Sequence, residues 1–205
     1  LNTFNYSNLE QFYQEMAESL TLADAGDADA FVLFIHWGDE YQIAHNDTQK
    51  QIAQKMCDLG VDVIIGGHPH VIQPVQMLTS GEDPSHQTFC VYSTGNALSN
   101  QRAALMDEDG NRGYTEDGLI FEVTYSKFNN GKVKITGLKI LPTWVERTGS
   151  YSIVALDDQT DPYSWGADNT GAALSSYERT IGRLGWGYNA FRASRGQAAV
   201  PEYLN

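Results

Sequence analysis

Two short apolar runs, Phe31-Val32-Leu33-Phe34-Ile35 and Val61-Asp62-Val63-Ile64-Ile65, flank a single helical pattern. That order restricts the fold more than any other feature of the chain. Each run is continuous and bounded by turn residues, which suits strands buried on both faces. Between them Thr48-Gln49-Lys50-Gln51 opens a capped helix. Ile52, Ala53, Met56 and Leu59 fall on one face and Gly60 follows its end. Strand, helix, strand is a βαβ unit, which favours a parallel pair joined by a right-handed crossover.

Around this unit the pattern is mixed. Ser7-Asn8-Leu9-Glu10 has capping-box spacing, and Leu9, Phe12, Tyr13, Met16 and Leu20 continue at helical intervals up to Asp24. Phe89 to Tyr92 reads as a strand, followed by the loop Ser93-Thr94-Gly95-Asn96. Gly118 to Tyr125 and Lys132 to Trp144 read as longer antiparallel strands joined at Asn129-Asn130-Gly131. From Tyr151 the chain is polar and glycine-rich. One helix is expected there, with Leu174, Tyr177, Ile181 and Leu184 on one face and its end at Gly185. Residues 185–205 read as loosely ordered or packed on the surface. The expected organisation is an α/β unit over 1–150 and a polar C-terminal extension with one helix over 151–205.

The chain has 205 residues, enough for one substantial core. With 26 Asp+Glu against 13 Lys+Arg the net charge is −13, which excludes nucleic acid as a partner on electrostatic grounds. The same charge repels anionic substrates at long range, so local cations or a metal must hold one. Cys57 and Cys90 are the only cysteines and read as small buried hydrophobes, with no disulfide indicated. No run has the length of a membrane span and no signal peptide is visible. The chain starts at Leu1 without a methionine, as a processed or truncated piece would.

Ligands of open α/β sheets bind beyond the carboxyl ends of the parallel strands. His36 lies at one such end and Gly66-Gly67-His68-Pro69-His70 at the next. In an extended loop His68 and His70 face opposite ways, and Pro69 stiffens the segment. The two imidazoles suit two adjacent metals, or one metal with a bend. Neutral imidazole suits zinc, iron, nickel or copper, and manganese where oxygen ligands join. Paired metals about 3.5–4 Å apart recur in phosphoester hydrolysis. The cluster of His36, His68 and His70 therefore marks a metal site or polar active site. His45 and His86 read as ordinary hydrogen-bonded loop residues. Glu40 and Asp39 can accept a proton or support an imidazole, or simply be solvated. Asp62 receives no role. Asn96 reads as a ligand contact or as a turn residue, and Trp37 as a second substrate contact.

Phe34-Ile35-His36-Trp37-Gly38-Asp39-Glu40-Tyr41, Gln49, Gly66 to Pro74 and Tyr92-Ser93-Thr94-Gly95-Asn96, in this order and spacing, resemble the CapA-type proteins of bacterial poly-γ-glutamate capsule synthesis. The resemblance runs from about Leu20 to Trp144. It implies a calcineurin-like metallophosphatase fold, a four-layer α/β/β/α sandwich. His36 would match the isolated ligand histidine of that superfamily, and His68 and His70 its Gly-His-x-His pair, one for each of two divalent ions (Mn, Zn or Fe). The earlier motifs of the family, a Gly-Asp, an Asn-x-Glu and an Asn-Asn-His, do not precede His36; Gly26-Asp27 sits in an acidic turn. The chain thus resembles a C-terminal portion, with the acidic and asparagine ligands in an upstream segment or separate chain.

The function so implied is a metal-dependent hydrolase or transferase acting on a phosphoester or on an amide of poly-γ-glutamate. His36, His68, His70 and Glu40 would be its catalytic residues. The alternative is a non-catalytic component that binds polymer or capsule-synthesis partners. A third possibility is a polar cluster that only stabilises loops. The family further implies an outward-facing protein, membrane-anchored through a segment upstream of Leu1.

Overall fold

The computed structural model describes residues 3–106, 112–156 and 171–194, with 185–194 as backbone alone. Helix α1 (Leu9–Asp24) precedes β1 (Val32–His36), α2 (Asp47–Asp58), β2 (Val63–Gly67), β3 (Val75–Thr79) and β4 (Gln87–Val91). A 3-10 turn, Tyr114–Glu116, leads into β5 (Asp117–Lys127), β6 (Val133–Glu146), β7 (Ser152–Ala155) and α3 (Ala172–Ser194). The fold is α/β.

The first sheet has the order β1-β2-β4-β3. β1, β2 and β4 are parallel and β3 is antiparallel to β4. β5, β6 and β7 form an antiparallel meander. Side chains alternate across each strand. Ile64 and Cys90 therefore point to one face, where Tyr13, Ile52, Ala53 and Met56 of α1 and α2 cover them. Val63, Phe89 and Val91 point to the other face and meet Leu138 and Ile140 of β6 with Ile181 and Leu184 of α3. The Phe89 and Phe121 rings make a T-shaped contact across the two sheets, 6.0 Å apart. Residues of α3, assigned from sequence to a C-terminal extension, share this packing, and Val154 of β7 packs with Trp144, Leu156 and Ala173 in a further cluster.

Several local expectations are corrected. β2 is buried on both faces, but β1 is an edge strand with Val32 48% and Phe34 75% exposed. Helix α1 is capped by Asn8, not Ser7, through Gln11 N–H. Helix α2 is capped by Asn46, not Thr48: Asn46 and Gln49 bond each other reciprocally, which satisfies two otherwise orphaned N–H groups. β3 and β7 have no counterpart in the sequence reading. α3 runs through Gly185 to Ser194, so this glycine is tolerated inside the helix. The tail beyond Ser194 lies outside the described residues.

Candidate active site at the strand ends

His36 ends β1, and the 66–70 loop leaves β2, its parallel neighbour in register. The His36 and His68 rings lie 4.4 Å apart between centroids, and the His68 and His70 rings 6.4 Å apart. The three imidazoles are thus brought together, His36 exposed and His68 and His70 half-buried. Glu40 joins them: its Oε1 is 3.8 Å from His70 Nε2. Tyr41 stacks on the His70 ring at 5.9 Å.

The backbone that presents these groups is unusual. His68 has φ +104°, His70 +60° and Tyr41 +61°. A side chain in this left-handed region costs about 1–3 kcal/mol, and such residues concentrate at functional sites. Cross-loop bonds hold them. Trp37 N–H donates to Gly67 O, Tyr41 N–H to Pro69 O, and Thr94 N–H to Gly66 O. Beneath them Gln49 Nε2 donates to Gln73 Oε1, and Gln73 Nε2 donates to the carbonyls of Gln42 and Ala44. Both glutamines are buried, so this network fixes the loop that carries Glu40 and Tyr41.

Asn96 is tied to protein through both side-chain polar atoms and its backbone N–H. Its Oδ1 is 3.0 Å from His70 Nδ1, and its Nδ2 donates to Gln101 Oε1 and Thr115 O, both at 3.0 Å. Its N–H donates to Asp117 O. It contacts the site through His70, not as the free ligand contact its loop position suggested. Asp117 in turn is bound by Arg179 of α3 at 2.7 and 2.9 Å and by Ser176 at 2.6 Å. Burial pushes its carboxyl up to about 6, against the opposing pull of the Arg179 guanidinium and Ser176.

Trp37 is corrected outright. It is 1% exposed, stacks on Tyr92 and donates from Nε1 to Tyr92 O at 2.8 Å. It belongs to the core and has no face to offer a substrate. His45 stacks on Tyr92 at 4.0 Å with its Nδ1 buried and unpaired, and burial lowers its pKa. His86 Nε2 lies 3.1 Å from Val61 O, an ordinary hydrogen bond. Asp62 accepts from Phe31 N–H, a structural role. Cys57 and Cys90 are free and buried.

The described residues do not by themselves complete a metal centre. Among the described residues no group of three or more His, Cys, Asp or Glu side chains is arranged to hold an ion. Among the described residues no carboxylate bridges His36 and His68.

A family model described as bacterial capsule synthesis protein PGA_cap matches residues 3–101. Residues 3–101 are similar to this family, over just under half of the chain. The matched range contains His36, Glu40, His68, His70 and Asn96, and stops before β5. Among curated relatives, the PGA biosynthesis protein CapA of Bacillus subtilis (strain 168) is 33% identical over 113 residues, 55% of this chain and 26% of the relative. The capsule biosynthesis protein CapA of Bacillus anthracis is 37% identical over 76 residues, 37% of this chain and 17% of the relative. The match thus spans about a quarter or less of these relatives' length. Among the described residues no helix is long and apolar enough to cross a membrane.

Proposed function

We propose that this chain forms the histidine-lined side of a cleft that handles a carboxylate-rich polymer, poly-γ-glutamate, within a CapA-type protein of capsule biosynthesis at the cell surface. One observation carries the reading. Two adjacent strand ends gather three imidazoles, two of them on left-handed backbone whose cost a merely structural loop would shed. The names of the two relatives supply the polymer and the process. Helices α1 and α2 cover one face of the first sheet, and the second sheet together with α3 covers the other, which agrees with the α/β/β part of a metallophosphatase-like sandwich.

Within the cleft His36 and His68 present imidazoles to an anionic group. Glu40 and His70 form a pair able to take up and return a proton at a substrate atom. A metal-dependent hydrolase or transferase on this site requires ligands from outside the described residues. The non-catalytic alternative keeps the same cleft for holding polymer or partner proteins.

The test is genetic. In poly-γ-glutamate-producing cells, full-length protein with His36, His68 and His70 all changed to Ala should accumulate normally and fail to support polymer production. Normal polymer yield from that variant would sink the proposal.

A further inference from the structure

Asn96 sits on the loop after β4, where a turn asparagine is commonplace, yet its side chain is clamped at both ends. One clamp decides its orientation. The Thr115 carbonyl oxygen can only accept a hydrogen bond, so the atom 3.0 Å from it must be the amide nitrogen of Asn96. The amide oxygen is then the atom facing His70 Nδ1 at 3.0 Å. An amide oxygen can only accept, so Nδ1 must carry a proton. The backbone N–H of Asn96, bonded to Asp117 O, holds the residue from a third side.

We infer that Asn96 is a positioning residue that fixes neutral His70 as the Nδ1–H tautomer and makes Nε2 its working atom. Nε2 is the nitrogen turned toward Glu40 Oε1, 3.8 Å away. The ring cannot readily turn to exchange its nitrogens. Tyr41 stacks against it, and Gln101, which accepts from Asn96, donates to the Tyr41 hydroxyl at 3.2 Å. One amide thus sets the tautomer directly and braces the ring through its neighbour. With His70 neutral, it and the Glu40 carboxylate present two lone-pair atoms side by side, Nε2 and a carboxylate oxygen. That seat accepts a proton or an N–H donor and repels a bare carboxylate. On a polymer of γ-linked glutamate it selects the amide N–H of the chain, while His36 and His68 are left for the carboxylates. This consequence rests on the proposed cleft, whereas the tautomer assignment stands on the hydrogen bonds alone.

The test is nitrogen NMR on the 205-residue chain labelled with 15N-histidine, at about pH 9, where an ordinary imidazole is neutral. The signals of His70 are identified by their loss in His70→Gln. Two-bond couplings to the ring protons should show a protonated Nδ1 and an unprotonated Nε2. In Asn96→Ala the balance should move roughly fivefold or more toward Nε2–H, as expected for losing one hydrogen bond. Asn96→Asp, which keeps an acceptor facing the ring, should retain Nδ1–H. A wild-type His70 found as Nε2–H or as an even mixture would overturn the inference, whether or not either variant folds. So would an unchanged balance in a folded Asn96→Ala. Failure of the chain to bind polymer would sink the cleft reading and leave the tautomer as measured.

Discussion

Trp37 Nε1 donates 2.8 Å to the carbonyl oxygen of Tyr92, and the two rings stack at 5.7 Å. This staple passes directly over Gly66, joining the ends of β1 and β4 across β2.

A Cβ on Gly66 would stand 2.0 Å from Tyr92 O and 2.4 Å from Trp37 Nε1. Backbone on one side and a bonded indole on the other leave it no room. Gly66→Ala should therefore cost more than about 3 kcal/mol. Trp37→Phe keeps the stacking and loses the hydrogen bond, for about 1–3 kcal/mol. Urea unfolding midpoints of the two variants should fall in that order.

The left-handed backbone at His68 gives a contrast between two small residues. With φ +104°, alanine keeps the strain and glycine releases it. His68→Gly should be more stable than His68→Ala by about 1 kcal/mol, although glycine ordinarily destabilises by raising unfolded-chain entropy. Equal melting temperatures for the two would remove strain from the description of this loop.

Asp117 and Arg179 join the second sheet to α3, and their pairing carries a pH dependence. Burial raises the Asp117 carboxyl from 3.8 to about 6. Between those values the folded protein holds a proton that the unfolded chain has released. The stabilising contribution of this group is thus complete below about pH 4 and lost as pH rises through about 6. Asp117→Asn should flatten the part of the stability–pH curve between pH 4 and 6, read as the difference from wild type. Arg179→Ala at pH 7 leaves a buried carboxylate without its cation and should cost about 3 kcal/mol or more.

The buried Gln49 and Gln73 pair supports the loop carrying Glu40 through bonds to Gln42 and Ala44. Gln73→Leu should cost about 1–3 kcal/mol by leaving those groups unsatisfied. It should also make proteolytic cleavage between residues 38 and 46 faster than elsewhere in the chain. Uniform protection would show that the loop holds itself.

The βαβ unit and the histidine positions were legible because both follow from short-range patterns. Apolar runs bounded by turns mark strands, and the ends of parallel strands mark the site. Trp37 shows where reading by adjacency fails. It follows His36 in sequence but shares the inward face with Ile35, and the period of two separates it from His36. β1 has the apolar run of a central strand yet stands at the edge of this sheet, since composition does not reveal which neighbours are present. β3 was missed because Val75-Gln76-Met77-Leu78-Thr79 is a short run whose strand character is fixed by pairing with β4. Asn96 looked like a turn residue because nothing local announces Thr115 and Asp117, which reach it from about twenty residues away.

The imidazole cluster is proposed to be the working part of the molecule. That role is tested most directly with purified full-length protein and poly-γ-glutamate of defined length, following both bound polymer and polymer chain length. Replacing His36, His68 and His70 by Ala should lower binding or turnover at least about tenfold, equivalent to about 1.4 kcal/mol, with the fold intact by circular dichroism. Binding and turnover equal to wild type in that folded variant would contradict that role.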